Sequence, residues 1–195
     1  MSEFEPGTDP GTTEELTDPA LASAVLELEA HAAESGWDQQ ASLYALVPTK
    51  DLVGKEPALA AAMGLDEASA DGSLTPVEQE LQVDVTLESV LEGIMWPSGV
   101  TGCAAIVERF VLPPSADGTV PEDPTAAQEF AADHPDRQEV RIVAGVTRSG
   151  ASYCAMRLRS HDDQKSVVGG ADLVPGLVEL LRATLEGDGT EESTP

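Results

Sequence analysis

Five arginines fall within RQEVRIVAGVTRSGASYCAMRLRS, residues 137–160, against a single acid. Guanidinium forks hold carboxylates and phosphates through paired hydrogen bonds, so such a concentration marks a place where an anion is held. Three sources of that anion are consistent with the residue types. The first is Glu108 of a neighbouring strand or a carboxylate from an acidic helix. The second is an acidic surface on a partner protein, a second copy of this chain included, and the third is a small phosphate or carboxylate ligand.

Other chemistry-bearing groups are sparse. Ser160-His161-Asp162-Asp163 offers a base and metal-ligand types, but adjacent residues fix no coordination sphere and the segment is expected as a solvated strand-end loop. Cys103 and Cys154 sit in apolar strand contexts and read as small core residues rather than reactive thiols. Gly169-Gly170 lacks any phosphate-loop spacing and is expected as a turn. Trp37 and Trp96 flank strands, where tryptophan closes a core or, exposed, anchors an interface. No nucleophile elbow, metal-ligand spacing or cofactor fingerprint is found.

The arginines are positioned by a hairpin. Alternation places Val140, Ile142, Ala144 and Val146 on one side of the first strand and Arg141, Val143 and Gly145 on the other. In the second strand Cys154, Met156 and Leu158 oppose Tyr153, Ala155, Arg157 and Arg159. A three-residue loop, Arg148-Ser149-Gly150, pairs Ala144 with Cys154, Ile142 with Met156 and Val140 with Leu158, so the apolar sets agree across both strands. On what is expected to be the outer face, that register puts Tyr153 opposite Gly145, where its ring can cover bare backbone, and Arg159 opposite Glu139. It also opposes Arg141 to Arg157, an arrangement costing about 0.2–1 kcal/mol unless an anion intervenes.

Around the hairpin, Asp18-Pro19 should cap and start a helix with Leu21, Val25 and Leu28 on one face. Residues 41–47 read as a strand covered on both faces, and 51–63 as a helix. Thr75-Pro76-Val77-Glu78 has capping-box spacing and predicts a short helix. Thr86 opens another helix, 100–112 is a strand, and Asp123-Pro124 begins a helix ending at His134-Pro135. Alternation in 100–112 buries either Glu108 or Arg109. A C-terminal helix is expected from Leu173, capped by Asp172. About four strands without regular βαβ alternation argue an α+β fold, an antiparallel sheet backed by helices. The expected organisation is a single domain over 18–186 between disordered acidic tails at 1–17 and 187–195.

The formal net charge of −26 over 195 residues repels phosphate backbones and anionic lipid, which disfavours nucleic-acid and membrane-surface roles. An acidic N-terminus without an apolar run, and only two cysteines, suit a reduced cytoplasmic setting.

The segments GWDQQASLYALVPTKDLVGKEPALA, LTPVEQE, GIMWPSGVTGCAAIVERFVLPPS, HPDRQEVRIVAGVTRSGASYCAMRLRSHDD and DLVPGLVELLRATL, spanning most of 36–185, together resemble a conserved actinobacterial family of uncharacterised function. The resemblance implies a cytoplasmic bacterial protein and brings no activity, cofactor or catalytic residue. At the level of fold, the helix-sheet-helix plan resembles the secretion-chaperone class, which binds protein segments and often dimerises. The reading that follows is a non-enzymatic, self-associating interaction module without a cofactor. Arg141, Arg157, Arg159 and Tyr153, with Trp37 and Trp96 as anchors, are its candidate binding residues. The alternative is an enzyme or sensor holding a small anion on the same arginines.

Overall fold

Asp18 and Pro19 start the first helix as their types dictate. In the computed structural model, which describes residues 18–186 apart from 69, 83, 84 and 117, α1 runs Pro19–Glu34, and the Asp18 carboxylate accepts from the amides of Ala20 and Leu21. The expected tails, 1–17 and 187–195, lie outside the described residues. The strands are β1 (Ser42–Pro48), β2 (Leu74–Gln79), β3 (Gly102–Val111), β4 (Gln138–Thr147), β5 (Ser152–Leu158) and β6 (Val168–Gly170). They form one antiparallel sheet in the order β2-β1-β3-β4-β5-β6. The remaining helices are α2 (Thr49–Lys55), α3 (Pro57–Ala62), α4 (Leu87–Gly93), α5 (Pro124–Asp133) and α6 (Pro175–Glu186). The architecture is α+β, with six strands rather than about four.

The two additional strands are corrections with identifiable causes. Residues 74–79 form no capped helix. Their β-branched Thr75 and Val77 face the pleat of β1, and the Thr75 hydroxyl bonds the Thr49 hydroxyl at 2.8 Å instead of a helical amide. Pro76 is tolerated because β2 is an edge strand. Gly169-Gly170, expected as a turn, pairs with Cys154 and Ala155 as the short edge strand β6. The 51–63 helix breaks in two at Glu56, because the residue before Pro57 resists helical angles. The last helix begins at Pro175, two residues later than expected, so Asp172 does not cap it.

The hairpin register is the one the apolar pattern required: Val140, Ile142 and Ala144 pair with Leu158, Met156 and Cys154, and Arg141 pairs with Arg157. One sheet face packs against α4 and α6 through Leu87, Leu91, Val178 and Leu181. The other packs against the Leu21, Val25 and Leu28 stripe of α1. The sheet is thus buried on both sides. Gly145 lets α1 approach, since a Cβ there would lie 2.7 Å from Val25 Cγ2 and 3.0 Å from Leu21 Cδ1. Tyr153 does not perform that covering role; its ring lies over Gly169 instead.

Gly145→Val should therefore lower stability by about 1–3 kcal/mol by overpacking. Gly54→Ala on α2, where nothing lies within 4 Å of the added carbon, should raise it by about 0.5–1 kcal/mol. Urea unfolding of both variants measures the contrast, and a neutral Gly145→Val would contradict the seating of α1.

Candidate functional site

Because β4 and β5 are adjacent and in register, Arg141 and Arg157 project from directly opposed positions toward α1. They are 1% and 3% exposed. Two like charges in a dry layer require counter-anions, and the chain supplies them. Glu29 of α1 takes Arg157 in a two-pronged pair, Nε to Oε1 at 2.6 Å and Nη2 to Oε2 at 2.8 Å. Asp162, in the 3-10 turns after β5, accepts from Arg157 Nη1 at 3.2 Å. Glu108 of β3 accepts from Arg141 Nε at 3.2 Å and Nη2 at 2.8 Å. Strand β3 therefore turns Glu108 inward and leaves Arg109 on the opposite face, half exposed and paired with Glu88 at 2.7 Å.

The α1–β1 connection closes the cluster. Gly36 and Asp38 both adopt left-handed backbone angles, φ 84° and 65°. The amides of Asp38 and Gln39 then converge on Glu108 Oε2 at 2.8 and 3.1 Å. Arg141 Nη2 also donates to the Gly36 carbonyl. Gln39 Nε2 donates to the Ala32 and Gly36 carbonyls at 3.0 and 2.7 Å, tying off the end of α1. The guanidinium groups of Arg141 and Arg159 lie over the Trp37 ring, 4.4 and 5.6 Å from its centroid, and Trp37 Nε1 donates to Asp162 at 3.0 Å. Arg159 holds both oxygens of Asp38 at 2.9 Å and Glu139 at 2.8 Å.

The electrostatics follow from these contacts. The Trp37 hydrogen bond, with Arg157 behind it, holds the Asp162 carboxyl below its ordinary range, and Arg159 does the same for Asp38. Glu29 raises Arg157 further above its already high value. Carboxylate oxygens of Asp38, Glu108 and Glu139 lie within 4.8 Å of one another. Arg141 and Arg159 already occupy those carboxylates, so the cluster is an ionic lock, buried at Arg141 and open to solvent at Asp38, rather than a cation centre.

The other expected site residues are dispersed. Trp96 is 4% exposed, and its Nε1 donates to Thr184 Oγ1 at 2.9 Å, so it closes the core against α6. Tyr153 packs at the edge of the α1 layer. Burial pushes the Cys103 thiol up to about 11 and raises Cys154 as well, keeping both protonated near neutral pH. Ser160 and His161 contact each other at 3.0 Å in an exposed turn. Sequence reasoning did not single out Glu29 or Asp38, and it expected Asp162 in a solvated loop rather than paired with Arg157. The signal for Glu29 was present: it follows Leu28 on the stripe shared by Leu21, Val25 and Ala32.

These features define an acidic α+β protein with a six-stranded antiparallel sheet whose cationic patch is neutralised from within. Residues 21–186 match the PPA1309-like protein family, and the chain belongs to it. No curated protein and no solved structure matches. Among the described residues no helix is long and apolar enough to cross a membrane.

Arg157→Met should cost about 3–5 kcal/mol by stranding Glu29 in the interior, and Glu29→Leu combined with Arg157→Met should recover most of that loss. A double-mutant cycle by urea unfolding checks both. The depressed Asp38 and Asp162 values mean that their contribution is fully present above about pH 4 and drains away as pH falls through the lower folded values. Trp37 emission in a Trp96→Phe background should therefore shift on acidification below about pH 4, ahead of global unfolding followed by circular dichroism.

Proposed function

We propose that this chain is a non-enzymatic, cytoplasmic interaction module of the chaperone or adaptor type, and that its partner is a neutral or cationic protein segment. One observation carries the reading: each of the seven arginines is engaged within the fold. Arg141, Arg157 and Arg159 sit in the ionic lock. Arg148 donates to the carbonyls of Val100, Trp96 and Leu185, Arg182 to Gly150, Arg109 to Glu88 and Arg137 to His134. Lys50 and Lys55 face Asp71 and Asp51.

An anionic ligand would thus meet a chain of net charge −26 with few cations free to receive it. The same charge disfavours a second copy as the main partner, because two such surfaces repel, and favours a basic one. The buried, protonated thiols fit a reducing compartment. The face carrying Arg141 and Arg157 is covered by α1, so the interaction surface lies elsewhere on the fold.

A thermal-denaturation screen with phosphorylated and carboxylate metabolites distinguishes this reading from the anion-binding alternative. The expected result is no rise in melting temperature. Stabilisation of several degrees by one anionic compound would displace the binding-module reading in favour of a small-molecule site.

A further inference from the structure

The sequence contains seven glutamines and no asparagine, and five of the seven, Gln39, Gln40, Gln79, Gln82 and Gln128, line two adjoining surface clefts. The larger has a volume of about 870 Å³ and lies between residues 39–42 and 78–82. The smaller, about 300 Å³, shares Gln40, Ala41, Leu81 and Gln82 with it and continues toward α4 and α5. The larger cleft exists because the β1–β2 ladder stops at Leu43↔Gln79. Beyond that pair β1 stays in the sheet through Ser42↔Ile106, and residues 80–82 leave the ladder. The side chains of Gln40, Gln82 and Gln128 have no hydrogen-bond partner among the described residues. A free carboxamide both donates and accepts, which suits a peptide backbone or a polar side chain.

The cleft adjoins an open strand edge. Strand β2 has β1 as its one strand neighbour among the described residues. Thr49 N–H donates to the Ser73 carbonyl at 3.0 Å, which fixes the parity of the ladder. Thr75, Val77 and Gln79 direct their backbone groups to β1, whereas Leu74, Pro76 and Glu78 direct theirs outward. Pro76 offers no N–H, so the edge is blunted at its middle. From Glu78 toward the cleft it keeps a donor and an acceptor. Glu78 and Glu80 line the same cleft and are exposed.

We propose that this cleft and the adjoining half of the β2 edge take up an extended, lysine- or arginine-bearing segment of a partner protein as an added strand. The proposal rests on the binding-module reading and names its site and its ligand class. Backbone pairing at Glu78 supplies register, the glutamine carboxamides bond the incoming chain without demanding charge, and Glu78 and Glu80 select basic side chains.

The test uses the full chain, isotopically labelled, and two probes: a short peptide of alternating lysine and threonine, and the same peptide with a central proline. The first should shift the amide signals of residues 39–42 and 78–82 with an affinity that falls as salt rises. The proline peptide keeps the charge but not the strand, and should bind about tenfold more weakly. Glu78→Gln with Glu80→Gln should weaken the first peptide by about tenfold and leave the melting temperature unchanged. If the proline peptide binds equally and shifts spread over the acidic surface, the docking inference is overturned while the binding-module reading stands. If neither peptide binds at low salt, both fall.

Discussion

Two guanidinium groups side by side in a dry layer are the constraint on which this fold turns. Removing a charge from water costs several kcal/mol, and two of one sign in register on neighbouring strands would not stay buried alone. Glu29 and Glu108 make the arrangement tolerable, and each fixes something else. Glu29 must meet Arg157, so α1 cannot slide by a turn along the sheet. Glu108 must meet Arg141 and two amides of the α1–β1 connection, so that connection has one conformation, including the left-handed Asp38. The pairs add little net stability compared with apolar residues of the same size, and their contribution is to specificity of packing.

This use of arginine divides the charge of the molecule. Arg141 and Arg157 are drawn inward and Arg148 is held against carbonyls at the hairpin turn, whereas Lys50, Lys55, Arg109 and Arg159 stay at the surface in ion pairs with carboxylates. The unpaired charge left at the surface is therefore predominantly negative. Net charge of this size keeps the protein dispersed and sets which partners approach it quickly.

The hairpin was legible from residues 138–158 because the side-chain period of two and the glycine of a three-residue loop leave one register that matches both apolar sets. The caps at Asp18, Thr86 and Asp123 were legible for the same local reason. Glu108 was correctly weighed as one internal anion. What failed was non-local. Thr75-Pro76-Val77-Glu78 carries a helix-start signal that pairing with β1 overrides, and β6 is too short to show a period. The arginine face read as outer because alternation in one hairpin cannot reveal what lies over it. The clues were Val143, Gly145 and Ala155, small or apolar residues on that face, and an amphipathic α1 that needed a surface to cover.

The Glu29–Arg157 contact spans 128 residues of chain. α1 precedes every strand in chain order, yet the arginine that receives its buried carboxylate lies on β5, after four other strands. Before β4 and β5 exist the leucines of α1 can meet only the β1–β3 part of the sheet, and the Glu29 carboxylate has no buried arginine to pair with. The first helix of the described residues is thus fully seated only once the late hairpin has formed.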